Sequence, residues 1–250
     1  MKEGQVLGQL SVGLAISDSV MGPYTDIGQP LAQPSENQYM YLDSNYFYDD
    51  GTSTPYLLWK QGTITPPEET RTLIYIQPMD SSGTALAGKR QVVLENDIKS
   101  WELGVVEAPW LVRPRGQKYY YLFYSAAHCC DGSGTYAVGV ARAENITGPY
   151  EKYSMNPILR RNEMFAAPGH CSVVPAPGYS NFWVILYHAA IAEKGGKLSR
   201  DRHLLMDFLQ FDPKTGWPMV LTDTRSPSVG LNKVPWMAHL KRRRRPVQQE

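Results

Sequence analysis

Three polar residues that can carry proton chemistry recur at nearly equal spacing along the chain. Asp43, Glu107 and His170 lie 64 and 63 residues apart, and each comes 12 or 13 residues before an apolar, aromatic-rich run. A charged side chain is almost never buried unless it is paired or used, so the carboxylate inside VVEAPWLV needs either solvent exposure or a function. The matched spacing favours a function, because it predicts that the three side chains converge.

Two carboxylates and an imidazole in one polar cavity predict acid–base catalysis. Crowding like charges and limiting their solvation separates their pKa values, so that one carboxyl group is protonated near neutral pH while the other is ionised. Cleavage of a glycosidic bond needs such a pair, with an acid on the leaving oxygen and a carboxylate for water or for covalent attack. Each carboxylate taken alone could equally be a residue at a strand end that faces solvent and has no catalytic function. The histidine taken alone is more often an ordinary core or surface residue.

Six apolar or β-branched runs of strand length predict an all-β protein. They are residues 55–60, 72–77, 118–126, 135–143, 181–190 and 203–211. Turn pairs such as Asp50-Gly51 and Asp131-Gly132 separate the runs. Only the segment 95–103 has the appearance of a helix.

The chain also contains an internal repeat. SDSVMGPY at 17–24 returns as AENITGPY at 143–150, which is 126 residues or two periods of 63 later. A period of this kind, filled with short strands and turns, is typical of a β-propeller blade, whose innermost strand lines a central channel. We therefore expect one propeller domain over residues 1–240, with the three polar residues at one end of its channel.

Composition argues against several other functions. The 250 residues carry a formal net charge of +1, which gives no field for nucleic acid or a membrane surface. No apolar run reaches the roughly 18 residues of a membrane span, and no signal peptide is recognisable in this chain. The basic run 241–245 is interpreted as part of a disordered tail at 241–250 rather than as a nuclear address. We expect a monomer.

The three cysteines do not predict a disulfide framework. Cys129 and Cys130 are adjacent and Cys171 stands apart, so one bridge at most can form, and free or buried thiols are the alternative. Their pairing with histidine at 128–130 and 170–171 lacks the spacing of a zinc site, and we do not predict zinc.

Four sequence blocks resemble glycoside hydrolase family 43. They occur in family order between about Val12 and Val220 and read LDSNYFYDDGTSTPYLLWK, VVEAPWLVRPRGQKYYYLFYSA, APGHCSVVPAPGYSNFWVILYHA and RHLLMDFLQFDPKTGWP. The resemblance implies an inverting, five-bladed β-propeller enzyme that acts on arabinan, arabinoxylan or xylan and requires no cofactor. It implies an arabinanase or α-L-arabinofuranosidase first and a β-xylosidase second, with the full-length protein outside the cell.

The resemblance also implies roles for individual residues. It makes Glu107 the general acid and Asp43 the carboxylate that orients the acid and modulates its pKa. His170 would bind substrate on the channel axis, where many members hold a structural calcium ion through water. Arg202 matches an arginine that reaches the substrate pocket.

Other parts of the site follow less directly. Trp110 and Phe165 are candidates for a sugar-stacking wall, although lone aromatic residues more often belong to the core. The family's general base, an aspartate in the first blade, would lie one repeat before Asp43 and therefore upstream of this chain. Asp18 and Asp26 flank the GPY repeat, in the phase of an outer loop, so neither is predicted to be the base.

Two hypotheses from different classes remain. The first is a glycosidase whose first blade is incomplete in this chain. The second is a catalytically inactive propeller that binds pentose polymers without cutting them, because no general base is found. A WD40-type interaction propeller is disfavoured, since no WD dipeptide ends the blades and the repeat is too long. An invertase-like propeller is a closer rival, but the EAPW and GHCS blocks favour family 43.

Overall fold

The computed structural model describes residues 10–36, 38–63, 71–179, 181–193 and 198–221. Within these ranges the chain forms 14 strands, numbered β1 to β14 in chain order, and no helix. Accordingly, this part of the chain has no helix long and apolar enough to cross a membrane. The prediction of an all-β protein is confirmed there, and the predicted tail at 241–250 lies outside the described residues.

The strands form one two-stranded and three four-stranded antiparallel sheets. The two-stranded sheet pairs β1 (Ala15–Ile16) with β2 (Thr25–Asp26). The first sheet of four contains β3 (Tyr39–Asp49), β4 (Thr54–Thr63), β5 (Leu73–Pro78) and β6 (Gln91–Glu95). The second contains β7 (Val106–Val112), β8 (Tyr120–Ala126), β9 (Ala137–Ala143) and β10 (Glu151–Lys152). The third contains β11 (Phe165–Pro175), β12 (Trp183–Ala192), β13 (Leu198–Phe211) and β14 (Pro218–Val220).

Each sheet of four pairs strands that are consecutive in sequence, which is the connectivity of a propeller blade. All six predicted runs lie in strands, namely β4, β5, β8, β9, β12 and β13. Strand β13 begins earlier than its run, at Leu198. A count of five blades is not shown by the three sheets of four that the described residues form, and stays a proposal.

The segment 95–103 begins with the last residue of β6, Glu95, and then forms turns, so its helical appearance was misleading. Some of its backbone N–H groups bond to nearby side chains, and those of Ser100 and Leu103 donate to the carbonyl three residues earlier, as in turns. Asp97 N–H donates to Glu102 Oε2 at 2.7 Å, and Lys99 N–H donates to Asp97 Oδ1 at 2.9 Å. Short acidic and hydroxyl side chains compete with helix formation in this way.

The GPY repeat builds the same turn twice. In both copies the bond before the proline is cis, and the glycine φ is positive, +80° at Gly22 and +88° at Gly148. Glycine adopts such angles without the steric cost that a Cβ would bring. The hydroxyls of Tyr24 and Tyr150 each donate a 2.9 Å hydrogen bond to the carbonyl four residues earlier. The repeat seen in the sequence is therefore a structural one.

Buried apolar side chains join neighbouring sheets of four. One cluster combines the second and third sheets and includes the fully buried Phe123 and Ile185. A second cluster combines the first and second sheets and includes Leu58 and Leu122. Burying each such side chain contributes about 1.5–3 kcal/mol relative to its exposure. The second sheet thus shares its core with both neighbours.

The first strands of the three sheets are also tied by hydrogen bonds between sheets. Leu111 N–H donates to Asn45 Oδ1 at 3.0 Å, linking β7 to β3. Trp110 Nε1 donates to the Val173 carbonyl at 2.8 Å, linking β7 to β11. These bonds hold β3, β7 and β11, the strands that carry the predicted site residues, next to one another.

Candidate active site

Each of these first strands contains a β-bulge at the predicted site. Pairing registers shift at Leu42/Asn45, Glu107/Trp110 and Gly169/Ser172. The first bulged residue has a left-handed φ in every case: +56° at Asp43, +50° at Ala108 and +50° at His170. Such a conformation costs a residue with a Cβ about 1–3 kcal/mol and is concentrated at functional sites.

The bulges correct the predicted equivalence of the three polar residues by one position. Asp43, Ala108 and His170 occupy the same place in their sheets, whereas Glu107 comes one residue before it. Spacing in sequence could not show this, because a single-residue difference in any connecting loop changes the count. The three polar residues still lie at or next to the corresponding bulges of β3, β7 and β11.

Asp43 is fixed beside the strand that carries Glu107. The Ala108 N–H donates to Asp43 Oδ2 at 3.1 Å, a bond between the first and second sheets. Burial raises the pKa of Asp43 above its ordinary value and the negative charge of Glu107 raises it further, while His170, Lys60 and the Ala108 N–H act in the opposite direction. Of the two carboxyl groups, Asp43 therefore holds a proton more readily.

Glu107 has two partners that sequence reasoning missed. Lys60 Nζ lies 2.6 Å from Glu107 Oε2, and the Tyr136 hydroxyl donates to Glu107 Oε1 at 2.5 Å. Burial would raise the pKa of Glu107, but the charge and hydrogen bond of Lys60, together with the Tyr136 bond and the charge of His170, lower it below its ordinary value. The crowding argument expected a raised pKa on the general acid, and this is wrong for the site as it stands.

The two missed partners differ in how visible they are in the sequence. Lys60 ends the apolar run PYLLWK, and its side chain is only 11% exposed. It is the same kind of anomaly as a carboxylate inside VVEAPWLV and could have been found by the same reasoning. Tyr136 carries no comparable signal, because tyrosine is common in strands.

Tyr136 owes its position to the absence of a side chain at Gly169. A Cβ at Gly169 would lie 1.9 Å from Tyr136 Cε1, so only glycine lets the ring occupy this place. The Tyr136 ring also stacks on His188, with 5.9 Å between ring centroids and 13° between ring planes. The glycine of the GHCS block is thereby needed to hold the hydroxyl that contacts Glu107.

His170 projects from its bulge next to the two carboxylates. Its backbone N–H donates to Ser125 Oγ at 2.8 Å, and its side chain is exposed. His170 acts to lower the pKa values of both Asp43 and Glu107, as expected of an imidazole that lies near both carboxyl groups. The structure thus brings the three predicted polar residues together.

Arg202 lies at a cavity of about 310 Å³ beside this site, together with His188 and the adjacent Cys129 and Cys130. The two cysteines form a disulfide, so the single bridge that the sequence left open does form, and Arg202 Nη2 donates to Cys130 Sγ at 3.0 Å. Burial, followed by the charges of Arg202 and His170, lowers the pKa of His188 to about 4. His188 is therefore neutral near pH 7. Sequence reasoning had singled out neither His188 nor this disulfide.

Trp110 and Phe165 both pack against the core that joins the second and third sheets. Trp110 also borders a second cavity, of about 700 Å³, formed where β3, β7 and β11 end and their hairpin turns begin. This cavity lies toward the far ends of the strands from the carboxylate pair. The structure does not bring Trp110 together with that pair, and a sugar-stacking role for either aromatic residue stays a prediction.

A calcium ion beside His170 was predicted to be held through water. Calcium takes six to eight oxygen ligands, and waters supply several of them in many sites. Within the described ranges, no group of three or more histidine, cysteine, aspartate or glutamate residues could hold a metal ion directly. A water-mediated calcium ion stays a prediction, and no step of the chemistry is routed through one.

Successive four-stranded meanders with their first strands side by side define a protein of the β-propeller type, here with a half-buried carboxylate pair at the bulges of two of those strands. The chain belongs to the glycosyl hydrolases family 43, whose family model matches residues 2–218. The predicted resemblance is confirmed.

Several relatives show the extent of the similarity. Extracellular endo-alpha-(1->5)-L-arabinanase 1 of Bacillus subtilis (strain 168) is 28% identical over 219 residues, which cover 83% of this chain and 59% of the relative. A probable arabinan endo-1,5-alpha-L-arabinosidase A of Neosartorya fischeri is 26% identical over 227 residues, covering 84% and 64%. The crystal structure of a thermostable family-43 glycoside hydrolase matches with a TM-score of 0.73 at 29% identity, covering 89% of this chain and 70% of that one. This chain thus spans about six-tenths of the length of the two curated relatives.

Proposed function

We propose that the protein is a glycoside hydrolase that cleaves O-glycosidic bonds in arabinose-containing plant polysaccharides, as an arabinanase or α-L-arabinofuranosidase. The observation that carries this proposal is the half-buried Glu107, which contacts Lys60 and Tyr136 and lies beside Asp43, in a chain of family 43. Cleavage of a glycosidic bond needs a carboxyl group that gives a proton to the leaving oxygen, with neighbouring charges that control when this group is protonated. The names of the two arabinan-cleaving relatives support arabinose as the sugar.

In this proposal Glu107 donates a proton to the leaving oxygen and Asp43 orients it and modulates its pKa. Lys60 holds Glu107 ionised in the present arrangement. Glu107 can therefore act as an acid only when its ion pair with Lys60 weakens. A substrate oxygen that accepts the hydrogen bond of Lys60 would weaken this ion pair. Glu107 would then bind a proton and donate it to the leaving oxygen.

The proposed reaction inverts the anomeric centre. Inverting enzymes place the acid and base carboxyl groups about 6.5–9.5 Å apart, which leaves room for the attacking water. We assign no general base among the described residues. Proton NMR of the first product formed from an α-arabinoside should show the β anomer, and retention would contradict the inverting mechanism.

Hydrolysis by wild-type protein and by Glu107→Gln tests the acid role. On an arabino-oligosaccharide the substitution should lower kcat by about 10²–10⁴-fold, the usual contribution of a general acid. An aryl arabinofuranoside with a dinitrophenolate leaving group is the matched control, since this group departs without a proton and the loss should be far smaller. Equal losses on both substrates would contradict the assignment. Parallel assays with xylosides test the β-xylosidase alternative.

A propeller that binds pentose polymers without cutting them is the second candidate. The ion pair with Lys60 favours it, because an ionised Glu107 donates no proton. This function predicts measurable affinity for arabinan or xylan, no hydrolysis by the wild type, and an affinity that Glu107→Gln leaves unchanged.

We also propose that the full-length protein works outside the cell as a monomer. The Cys129–Cys130 disulfide supports secretion, because disulfides persist in oxidising compartments. The word "extracellular" in the name of the Bacillus relative points the same way. Asn145, in its N-glycosylation sequon, is exposed and would be accessible to modification on that route.

A further inference from the structure

The disulfide between Cys129 and Cys130 borders the cavity that lies beside the carboxylate pair. The cavity volume of about 310 Å³ falls at the lower end of the roughly 300–1,000 Å³ found for small-molecule sites. Cys129 is half-buried and Cys130 is exposed, so the sulfur atoms are accessible rather than enclosed in the core. The third cysteine, Cys171, is a buried thiol in the interior.

Two side chains in contact separate this cavity from Glu107. His188 lines the cavity and stacks on Tyr136, and the Tyr136 hydroxyl donates to Glu107. The charges of Arg202 and Glu107 both act on His188, as expected of neighbouring groups. The cavity therefore lies beside Glu107, where a pentose unit of a substrate bound at Glu107 would be within reach.

The lining of the cavity combines polar groups with a surface that lacks hydrogen-bond donors. Arg200, Ser199 and Arg202 can bond to sugar hydroxyls. The buried Nδ1 of His188 has no hydrogen-bond partner in the part of the chain that the structure describes. A buried polar atom normally has a partner, and a sugar hydroxyl would supply one.

A sugar ring also presents apolar C–H groups, which need an apolar surface to pack against. Sugar sites commonly provide an aromatic ring for this purpose, but no tryptophan, tyrosine or phenylalanine is found among the described residues that line the cavity. The disulfide supplies two polarisable sulfur atoms, and sulfur of this kind makes favourable contacts with apolar groups. Ala167, Ala190 and Leu198 also line the cavity and extend this surface.

The disulfide is held in position from two sides. Its loop follows β8 and is anchored where Ala127 N–H donates to the Glu102 carbonyl at 3.1 Å. A Cβ at Gly134 would come within 3.3 Å of Ala166 in the third sheet, so the loop packs closely there. Arg202, on the same sheet, donates to Cys130 Sγ. A surface fixed before the ligand arrives loses little entropy on binding.

We propose that the Cys129–Cys130 disulfide is a sugar-contacting surface that sets the affinity for the pentose unit bound beside Glu107. The inference rests on the proposed function, because it deepens the description of the same site. The sulfur atoms pack against the C–H face of the pentose, while Arg202 and His188 bond to its hydroxyls. The disulfide thereby acts as a specificity-determining element rather than only as a loop constraint.

A titration followed by NMR tests the contact directly. The protein is labelled with ¹³C at the cysteine Cβ atoms and titrated with arabinotriose, using Glu107→Gln to prevent hydrolysis. The signals of Cys129 and Cys130 should shift along one binding curve, whereas the signal of buried Cys171 should not move and serves as the internal control. A sugar that binds without shifting the two disulfide signals would overturn the inference.

The double variant Cys129→Ser/Cys130→Ser tests the contribution to affinity. Its dissociation constant for arabinotriose should rise about tenfold, and reduction of the wild-type disulfide should have the same effect. Cys171→Ala, which keeps the disulfide, should bind within about twofold of the wild type. Thermal unfolding verifies that each variant is folded. If the double variant is not folded, the NMR titration of the ¹³C-labelled protein, which keeps the disulfide, decides whether the sugar contacts it.

The outcomes distinguish this inference from the proposed function. If the intact protein binds arabinotriose and the folded double variant binds it equally well, the disulfide is not a sugar contact, and the proposed function is unaffected. If the intact protein binds neither arabino- nor xylo-oligosaccharides, the proposed function fails and the inference fails with it.

Discussion

Glu107 and Lys60 form an ion pair at the centre of the proposed site, with side chains that are only 14% and 11% exposed. Removing two charges from water is costly, and such pairs are often no more stabilising than apolar residues of the same shape. A site that keeps this pair is therefore better explained by chemistry than by stability. The control of the Glu107 proton by Lys60 is the most direct chemical reason that the structure offers.

The substitution Lys60→Met should raise the pKa of Glu107, because it removes the charge and hydrogen bond that hold this pKa down. A general acid must be protonated, and activity is lost as the pH rises through its pKa. In the pH profile of kcat/KM, the fall in activity on the alkaline side should therefore move to higher pH in the variant. Lys60→Arg, which keeps the charge, is the matched control and should move this fall far less. An alkaline fall that stays in place or moves to lower pH would exclude Glu107 as the acid.

The same ion pair links stability to pH. The folded-state pKa of Glu107 is lowered, so the pair contributes stability above the unfolded-state pKa of about 4.3 and loses it as the pH falls through the folded-state value. Lys60→Met should then be more destabilising at pH 7 than in strong acid. Urea unfolding of both proteins over a pH series checks this, and a destabilisation independent of pH would contradict it.

At the residue scale, the sequence reveals charges in apolar surroundings but not the contacts between them. Asp43 and Glu107 are visible because a carboxylate beside a buried strand is costly without a reason. Tyr136 and the Cys129–Cys130 disulfide are not, since tyrosine is an ordinary strand residue and two adjacent cysteines bond only if their loop permits it. The direction of the pKa shifts also depends on Lys60, which lies 47 residues away in sequence.

Among the strands, the bulges of β3, β7 and β11 determine where the site residues point. A bulge places two residues opposite one and turns a side chain out of the regular alternation. In β11 the bulge lies next to Gly169, against which the ring of Tyr136 packs. The geometry of one strand thus fixes a hydroxyl from Tyr136, which lies immediately before β9 of the neighbouring sheet.

Gly169→Ala should disrupt this arrangement. The added Cβ would lie 1.9 Å from Tyr136 Cε1, so the ring must move away from Glu107. We expect a loss of about 1–3 kcal/mol in the free energy of unfolding, the usual cost of overpacking, together with a loss of hydrolytic activity. Gly13→Ala adds the same methyl group where nothing lies within 4 Å and should be nearly neutral. Urea unfolding measures both variants, and equal effects would contradict the packing argument.

Strands are well predicted by the sequence because their apolar runs are long and are separated by clear turn residues. The bulges are not predictable in the same way, because a bulge exists only relative to the register of its partner strand. This is why Glu107 was aligned one residue away from its structural equivalents. The prediction of a helix at 95–103 failed for a local reason. Asp97 and Glu102 accept hydrogen bonds from backbone N–H groups of the same segment, which stabilises turns there instead.

Over the whole of the described structure, two apolar clusters make the three sheets of four depend on one another. The second sheet contributes to both, with Phe123 facing the third sheet and Leu122 facing the first. The internal repeat predicted sheets of this kind, because each period carries the apolar strands of one sheet. It could not predict the interfaces, which depend on how side chains from different repeats interdigitate.

This shared core predicts that a substitution that destabilises one sheet also destabilises the other two. Ile185 of β12 is fully buried in the cluster that joins the second and third sheets, whereas Ile191 of the same strand is 41% exposed. Ile185→Ala should lower the free energy of unfolding by about 2–5 kcal/mol, and Ile191→Ala by much less, because only the first leaves a cavity. Hydrogen exchange measured strand by strand should show β4 of the first sheet losing as much protection as β12 in the first variant. If β4 kept its wild-type protection while β12 opened, the sheets would unfold independently, and the geometry of the Asp43 and Glu107 pair would not depend on the third sheet.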